Sequence, residues 1–265
     1  MSLVASRRDF LGTMMATVAP LSKHLIIDAH CHAGTGQAMS APWETRADIE
    51  VTLRHMSEAG IDRTIIFPIN NPEYERANRE IAEICARYPD KFLGFAKHDP
   101  QTEAGRIARM LRQEVKEMGL KGLKLHRLPT REVLDAVAEL GIPVLYHPER
   151  VGNFHMIASE YPQIPFIMAH LGSFASRNWM EHLEAISIAR RYPNVYLETS
   201  GVVYFKYLEM AVKELGPSKV IFGSDGPELD SRVELYKIKL LKLLPADEAL
   251  VLGGNIRRLL PPGTL

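Results

Sequence analysis

Cysteine is nearly missing from this chain. Cys31 and Cys85 are the only two in 265 residues, too few for a disulfide framework, and a chain of this length buries enough apolar surface to need none. A surplus of either charge is missing too. Lys and Arg total 32 against 32 for Asp and Glu, so there is no electrostatic footprint for a polyanion, and nucleic acid is not expected as a partner. No run reaches the ~20 continuous apolar residues of a membrane span. The glycine-rich phosphate turn that an open doubly wound sheet carries after its first strand is absent as well, because Gly34 and Gly36 have no helix start behind them. What the chain does have is ten histidines, and these matter only if they converge.

Residues 6–12 read Ser-Arg-Arg-Asp-Phe-Leu-Gly, ahead of a weakly apolar run over 13–21. The segment resembles a twin-arginine export leader, which implies a periplasmic or other extracytoplasmic location. Pro20 directly after Ala19 and a first strand beginning near Leu25 leave little room for cleavage. The alternative is a cytoplasmic protein in which residues 1–23 form a short N-terminal helix.

From residue 24 onward, short apolar runs rich in β-branched residues alternate with segments of helical period, the pattern of βα units. Strands are expected over 25–30, 63–68, 92–98, 121–126, 142–147, 165–170, 194–199 and 219–224. Helices are expected over 48–59, 74–88, 103–118 and 178–191, with start signals at Thr45, Thr102 and Thr130. Eight units of roughly 28 residues predict an α/β fold, a single (β/α)8 TIM barrel spanning residues 24–265, with a C-terminal helix over 246–260 packed beneath or beside it.

In such a barrel the active site forms where the strands end. Six histidines fall there (His30, His32, His98, His126, His147 and His170), and Asp225 follows the eighth strand. About 24 positions count as strand ends, and chance would place roughly one histidine among them. His30 and His32, two apart in an extended segment, share one face, whereas Cys31 points away and is expected to be an inert buried thiol. Neutral imidazoles and a carboxylate converging from several strands suit Zn²⁺, or Mn, Fe or Co according to supply.

The segments Asp28-Ala29-His30-Cys31-His32, Gly122-Leu123-Lys124-Leu125-His126, His147-Pro148, Ala169-His170-Leu171-Gly172, Gly223-Ser224-Asp225 and Gly253-Gly254-Asn255 resemble the amidohydrolase superfamily. They are most similar to its branch of aminocarboxymuconate-semialdehyde decarboxylase-like proteins. That resemblance implies that His30, His32 and His147 bind a divalent metal, and that Asp225 ligates it or takes a proton from its water. It implies that His170 assists water or substrate, or binds a second metal in binuclear relatives. In binuclear relatives a carboxylated lysine on the fourth strand bridges two ions, and Lys124 stands in that position. Its Gly-x-Lys-x-His setting favours one ion, with Lys124 paired to Glu198 or to a substrate carboxylate. His126, Arg127 and Arg150 stand where they could bind a carboxylated small-molecule substrate. Trp43 and residues 34–42 form either a flap or a plain solvated loop. Association into a homo-oligomer is left open.

Two activities fit. The first is hydrolysis of a small ester, lactone or amide by a metal-activated water with Asp225 as proton shuttle. The second is a lyase reaction, a non-oxidative decarboxylation or hydration of a small carboxylic acid. Short loops over the site favour hydrolysis. A TatD-type nuclease is disfavoured by Lys124 where that family carries a metal-binding Glu, and a non-catalytic binding barrel remains the reading outside enzymes.

Overall fold

The computed structural model describes residues 24–40 and 42–265, so the leader expected over 1–23 lies outside the described residues. The chain lays down β1 (Ile27–Met39), a short antiparallel partner β2 (Thr45–Ala47), β3 (Arg63–Pro68), β4 (Phe92–Gly94), β5 (Ala96–Lys97), β6 (Leu123–Leu125), β7 (Val144–Tyr146), β8 (Phe166–Met168), β9 (Val195–Glu198) and β10 (Val220–Ile221). Except for β2, all neighbouring strands pair in parallel.

The expected third strand is broken at Phe95. Its first half pairs with β3 and its second with β6, and the Phe95 and Ala96 N–H groups donate in opposite directions, to Ile66 O and Gly122 O. The ring closes between β1 and the segment after β10, where Ala29 N–H donates to Phe222 O (3.1 Å), Asp225 N–H to His30 O (2.7 Å) and His32 N–H to Gly226 O (2.6 Å). Asp28 ties the same seam, accepting from Ser224 N–H (2.8 Å) and Ser224 Oγ–H (2.5 Å). Eight strand positions therefore form the expected barrel.

The observed strands are shorter than the apolar runs that announce them, because the ladder covers only the middle of each run. The exception is β1, which continues to Met39 and pairs with β2 across the stretch expected as a flap. Trp43 is 80% exposed at the turn between them.

Around the strands run α1 (Ile49–Ala59), α2 (Tyr74–Arg87), α3 (Ile107–Lys116), α4 (Arg131–Leu140), α5 (Asn153–Glu160), α6 (Trp179–Arg191), α7 (Lys206–Leu215) and α8 (Ser231–Leu240). Thr130 caps α4 as expected, its side chain accepting from Val133 N–H. Thr45 does not cap α1. It lies in β2, and Asp48 performs the task by accepting from Glu50 N–H. Thr102 does not open α3 either, because turns occupy the residues before Ile107, with Gly105 at φ 73°.

The C-terminal segment folds as α9 (Pro245–Ala249), one π-turn and α10 (Asn255–Leu259). It plugs the bottom of the barrel, where Ile256 and Leu260 join Ile27, Ala29 and Ile221 in one apolar cluster. Gly253 is required there, since a Cβ would lie 2.1 Å from Leu25 O. The bottom is sealed by apolar packing, and the polar chemistry is confined to the opposite end.

Candidate metal centre and cleft

A bulge in β1 builds the centre. Between Asp28 and Cys31 the register with β3 shifts by one residue, so the inward phase passes from Ile27 and Ala29 below to His30 and His32 above. Cys31 points outward, its Sγ 3.9 Å from Thr52 Oγ1 on α1. Burial pushes its thiol pKa well above the ordinary value, which disfavours the reactive thiolate.

Asp225 is the hub. Its Oδ1 lies 3.1 Å from His30 Nε2 and 3.3 Å from His32 Nε2, and its Oδ2 lies 3.9 Å from His170 Nε2. His30, His170 and Asp225 present donor atoms all within 4.8 Å of one another. Two ligands about 2.1 Å from one ion stand about 3.0 to 3.4 Å apart in octahedral or tetrahedral geometry, which the two shorter contacts match.

The far side of each ring decides whether its Nε2 is free to bind. His30 Nδ1 donates to Glu198 Oε2 (2.9 Å), His32 Nδ1 faces Pro68 O (3.4 Å), and His170 Nδ1 faces Ser200 O (3.1 Å). Acceptors at Nδ1 place the proton there and turn the Nε2 lone pair toward Asp225, the arrangement that outer partners impose on metal-binding imidazoles. The donor set therefore fits a divalent ion.

The electrostatics agree. Burial lowers the pKa of His32 and His170 to about 4, and that of His147 to about 2, so these rings are neutral and able to ligate. His30 differs. Burial and the Lys124 ammonium lower its pKa, but Asp225 and Glu198 outweigh them and leave it above the ordinary value. Burial alone would raise Asp225, yet the neighbouring His30, His32 and His170 hold it well below the carboxylate range. Glu198 likewise sits at about 2, the penalty of burial being overcome by His30.

Backbone strain marks the same place. Asp225 and His170 adopt φ of 56° and 58°, left-handed values that cost a non-glycine residue about 1 to 3 kcal/mol. Glu198 accepts the His170 N–H (3.1 Å) and so helps hold that turn. Gly223 admits the cluster, because a Cβ there would meet Glu198 Oε1 at 2.5 Å and His30 Cβ at 2.8 Å.

Several expected residues take other places. His147, implied as a ligand, has no ring nitrogen within 4.0 Å of the Asp225 carboxylate among the described residues. Its ring packs edge-on to His170 at 4.5 Å, and His170 occupies the position nearer the hub. Lys124 does not pair with Glu198. Its Nζ lies 3.1 Å from His30 Nε2, because Glu198 is already held by His30, Ser200 and the His170 backbone. Burial brings the Lys124 pKa down to about 8. His126 is half-buried beside His147, and burial together with Lys97 and Lys124 drives its pKa well below normal. Arg127 borders the cleft but is ion-paired with Glu149. Arg150 is exposed and borders neither cavity over the strand ends. His98 is drawn away from the centre altogether, between Glu103 (3.1 Å) and Glu114 (2.8 Å).

Two adjoining cavities open above the centre. One of about 270 Å³ is bordered by His32, His126, His147, Phe174, Asp225 and Glu228. The other, of about 530 Å³, shares Asn70 and His126 with it and includes Tyr74, Lys97 and Arg127. Lys97, Asn70, Ser200 and Glu228 were not singled out from sequence. For Lys97 a signal existed, a charged residue inside the apolar run Phe92-Leu93-Gly94-Phe95-Ala96.

The amidohydrolase family profile matches residues 27–261, and the chain belongs to that family. A gamma-resorcylate decarboxylase of Rhizobium sp. is 24% identical over 291 residues, covering 80% of this chain and 87% of that protein. Among solved structures, 5-carboxyvanillate decarboxylase of Sphingomonas paucimobilis superposes with a TM-score of 0.71 at 17% identity, covering 89% of this chain and 98% of the other. A dihydroxybenzoic acid decarboxylase of Polaromonas sp., solved with manganese and 2-nitroresorcinol, gives 0.73 at 19% identity, covering 89% and 96%. A probable 2-pyrone-4,6-dicarboxylic acid hydrolase of Acinetobacter baumannii gives 0.68 at 17%, covering 88% and 98%.

The protein is thus an amidohydrolase-superfamily enzyme whose relatives include decarboxylases. Those relatives favour the lyase expectation over the hydrolase one. Among the described residues no helix is long and apolar enough to cross a membrane.

Proposed function

We propose that this protein is a metal-dependent, non-oxidative decarboxylase of a small hydroxylated aromatic or unsaturated carboxylic acid. The observation that carries the reading is the Asp225 hub, with three imidazole Nε2 atoms turned toward it, at the floor of a cleft in a chain whose relatives are decarboxylases. His30, His32, His170 and Asp225 would hold one divalent ion, which supplies a Lewis acid for the substrate carboxylate and a neighbouring oxygen. Zn²⁺ and Mn²⁺ both suit this nitrogen and oxygen set.

Around that ion the chain's own groups have separate tasks. Glu198 and Ser200 fix the orientation of His30 and His170. Lys124 places a cation beside the reacting carboxylate. As the carbon–carbon bond breaks and CO₂ leaves, its electron pair stays on carbon and is taken up by a proton that the Asp225 carboxylate would relay from a cleft water or a substrate hydroxyl. His126, His147 and Phe174 wall the smaller cavity and limit water around that carbon.

Hydrolysis is the second reading, and the strongly ionised state of Asp225 favours it, because a carboxylate held anionic is suited to take a proton from water. Incubating the manganese- and zinc-loaded protein with hydroxybenzoates and, separately, with lactones distinguishes the two. CO₂ and the matching phenol are expected; lactone opening with no CO₂ from any carboxylate would reverse the assignment.

A further inference from the structure

Lys97 is 1% exposed, yet it borders the larger cavity. Among the described residues its Nζ makes one hydrogen bond, to the neutral Asn70 Oδ1 at 2.9 Å, and it stands 5.5 Å over the Tyr74 ring. Among the described residues no carboxylate lies within 4.0 Å of it. Of the two acidic residues bordering the same cavity, Glu149 is paired with Arg127 and Asp99, which accepts the Gln101 N–H, lies beyond 4.0 Å of the Lys97 ammonium. A buried ammonium without an anionic partner is a costly arrangement. In keeping with that, burial and the nearby Lys124 outweigh the more distant Asp225 and Asp99 carboxylates and lower its pKa to about 7.

The position is also rigid. Asn78 on α2 clamps the Lys97 backbone from both sides, accepting its N–H (2.9 Å) and donating to its carbonyl (3.1 Å). Asn78 in turn donates to Glu114 (2.8 Å), part of the buried His98 cluster. Lys97 and Lys124 are register partners on β5 and β6, so their side chains emerge on the same face about 4.8 Å apart at the backbone. Lys124 reaches the metal centre and Lys97 reaches the cavity beside it.

We propose that Lys97, presented by Asn70 and Asn78, is an anchor for a second carboxylate of the substrate, so that the cleft selects small dicarboxylic acids over monocarboxylic ones. One carboxylate goes to the metal centre beside Lys124, and the other supplies the missing partner of Lys97 in the larger cavity. The inference rests on the reading of the centre as a metal site that takes a substrate carboxylate.

The test is calorimetric binding to the manganese-loaded full chain, with isophthalate and benzoate as probes. A charge-assisted hydrogen bond to a buried group predicts isophthalate binding at least about 10-fold tighter than benzoate. Lys97→Met is expected to erase that preference while leaving benzoate affinity within about two-fold; Lys97→Gln replaces it if the methionine variant does not fold. Equal affinities in the unaltered protein, or a preference that survives loss of the Lys97 charge, would overturn the proposal. The unaltered protein's ratio is decisive even if neither variant folds. A preference that depends on Lys97 in a protein releasing no CO₂ would uphold the anchor and count only against decarboxylation. CO₂ release with no preference would count only against the anchor.

Discussion

Two buried histidine clusters lie at the same end of this barrel, and they have opposite characters. At the Asp225 hub, His32 and His170 each have an acceptor behind Nδ1 and turn Nε2 toward Asp225, while His30 stands between Glu198 and Asp225 with Lys124 Nζ 3.1 Å from its Nε2. In the second cluster both nitrogens of His98 face carboxylates, Glu103 at Nδ1 and Glu114 at Nε2. Burial lowers the His98 pKa, but the two glutamates outweigh it and raise the value to about 9, so this ring is a cation at neutral pH. His32 and His170, near 4, are permanent neutral bases. His32 and His170 are therefore the neutral rings at the hub, whereas His98 is held as a cation away from it. The charged knot is a buttress, and through Asn78 it fixes the backbone of Lys97.

The contrast can be broken at four points. The largest effect is expected at the hub itself, where Asp225→Asn should abolish bound metal and lower turnover by roughly 10³-fold or more with the fold retained, measured by metal analysis and steady-state kinetics. The next belongs to the knot. His98→Leu leaves two buried carboxylates without their cation, and urea denaturation should show a loss of about 3 to 5 kcal/mol, with turnover per folded molecule little changed.

The pH dependence of that second effect has a definite sign. The folded-state pKa of about 9 lies above the ordinary 6.5, so the stabilisation, about 3 kcal/mol, is complete below about pH 6.5 and is lost as pH rises through about 9. Stability of the unaltered protein relative to His98→Leu should therefore fall over that window. A third, smaller effect is expected for Glu198→Gln, which weakens the orientation of His30 and should reduce metal affinity about 10- to 100-fold, read by competition with a chelator. The smallest is Arg150→Ala, expected to leave both turnover and stability within about two-fold and 0.5 kcal/mol.

Much of this was legible in the sequence. Apolar runs at regular spacing announced the eight strand positions, and His30, His32, His170 and Asp225 were recognisable because their strand ends share one face. His147, expected as a ligand, has no ring nitrogen within 4.0 Å of the Asp225 carboxylate among the described residues, and the left-handed turn at His170 brings that ring nearer. What stayed hidden depends on partners distant in sequence. Glu198 is 168 residues from His30, and Asp28 is 196 from Ser224. The β1 bulge that turns His30 inward leaves no mark in a pattern of alternating residues, because it is defined only by the register with β3.

The most direct test of the central claim, a single-metal decarboxylase centred on Asp225, is a titration of manganese into metal-stripped protein. CO₂ release from 2,6-dihydroxybenzoate and bound metal per chain are followed together. CO₂ release is expected to be absent at the start, to rise in proportion to bound metal and to level off at one ion per chain. Full CO₂ release by the stripped protein, or a plateau reached only at two ions, would contradict it.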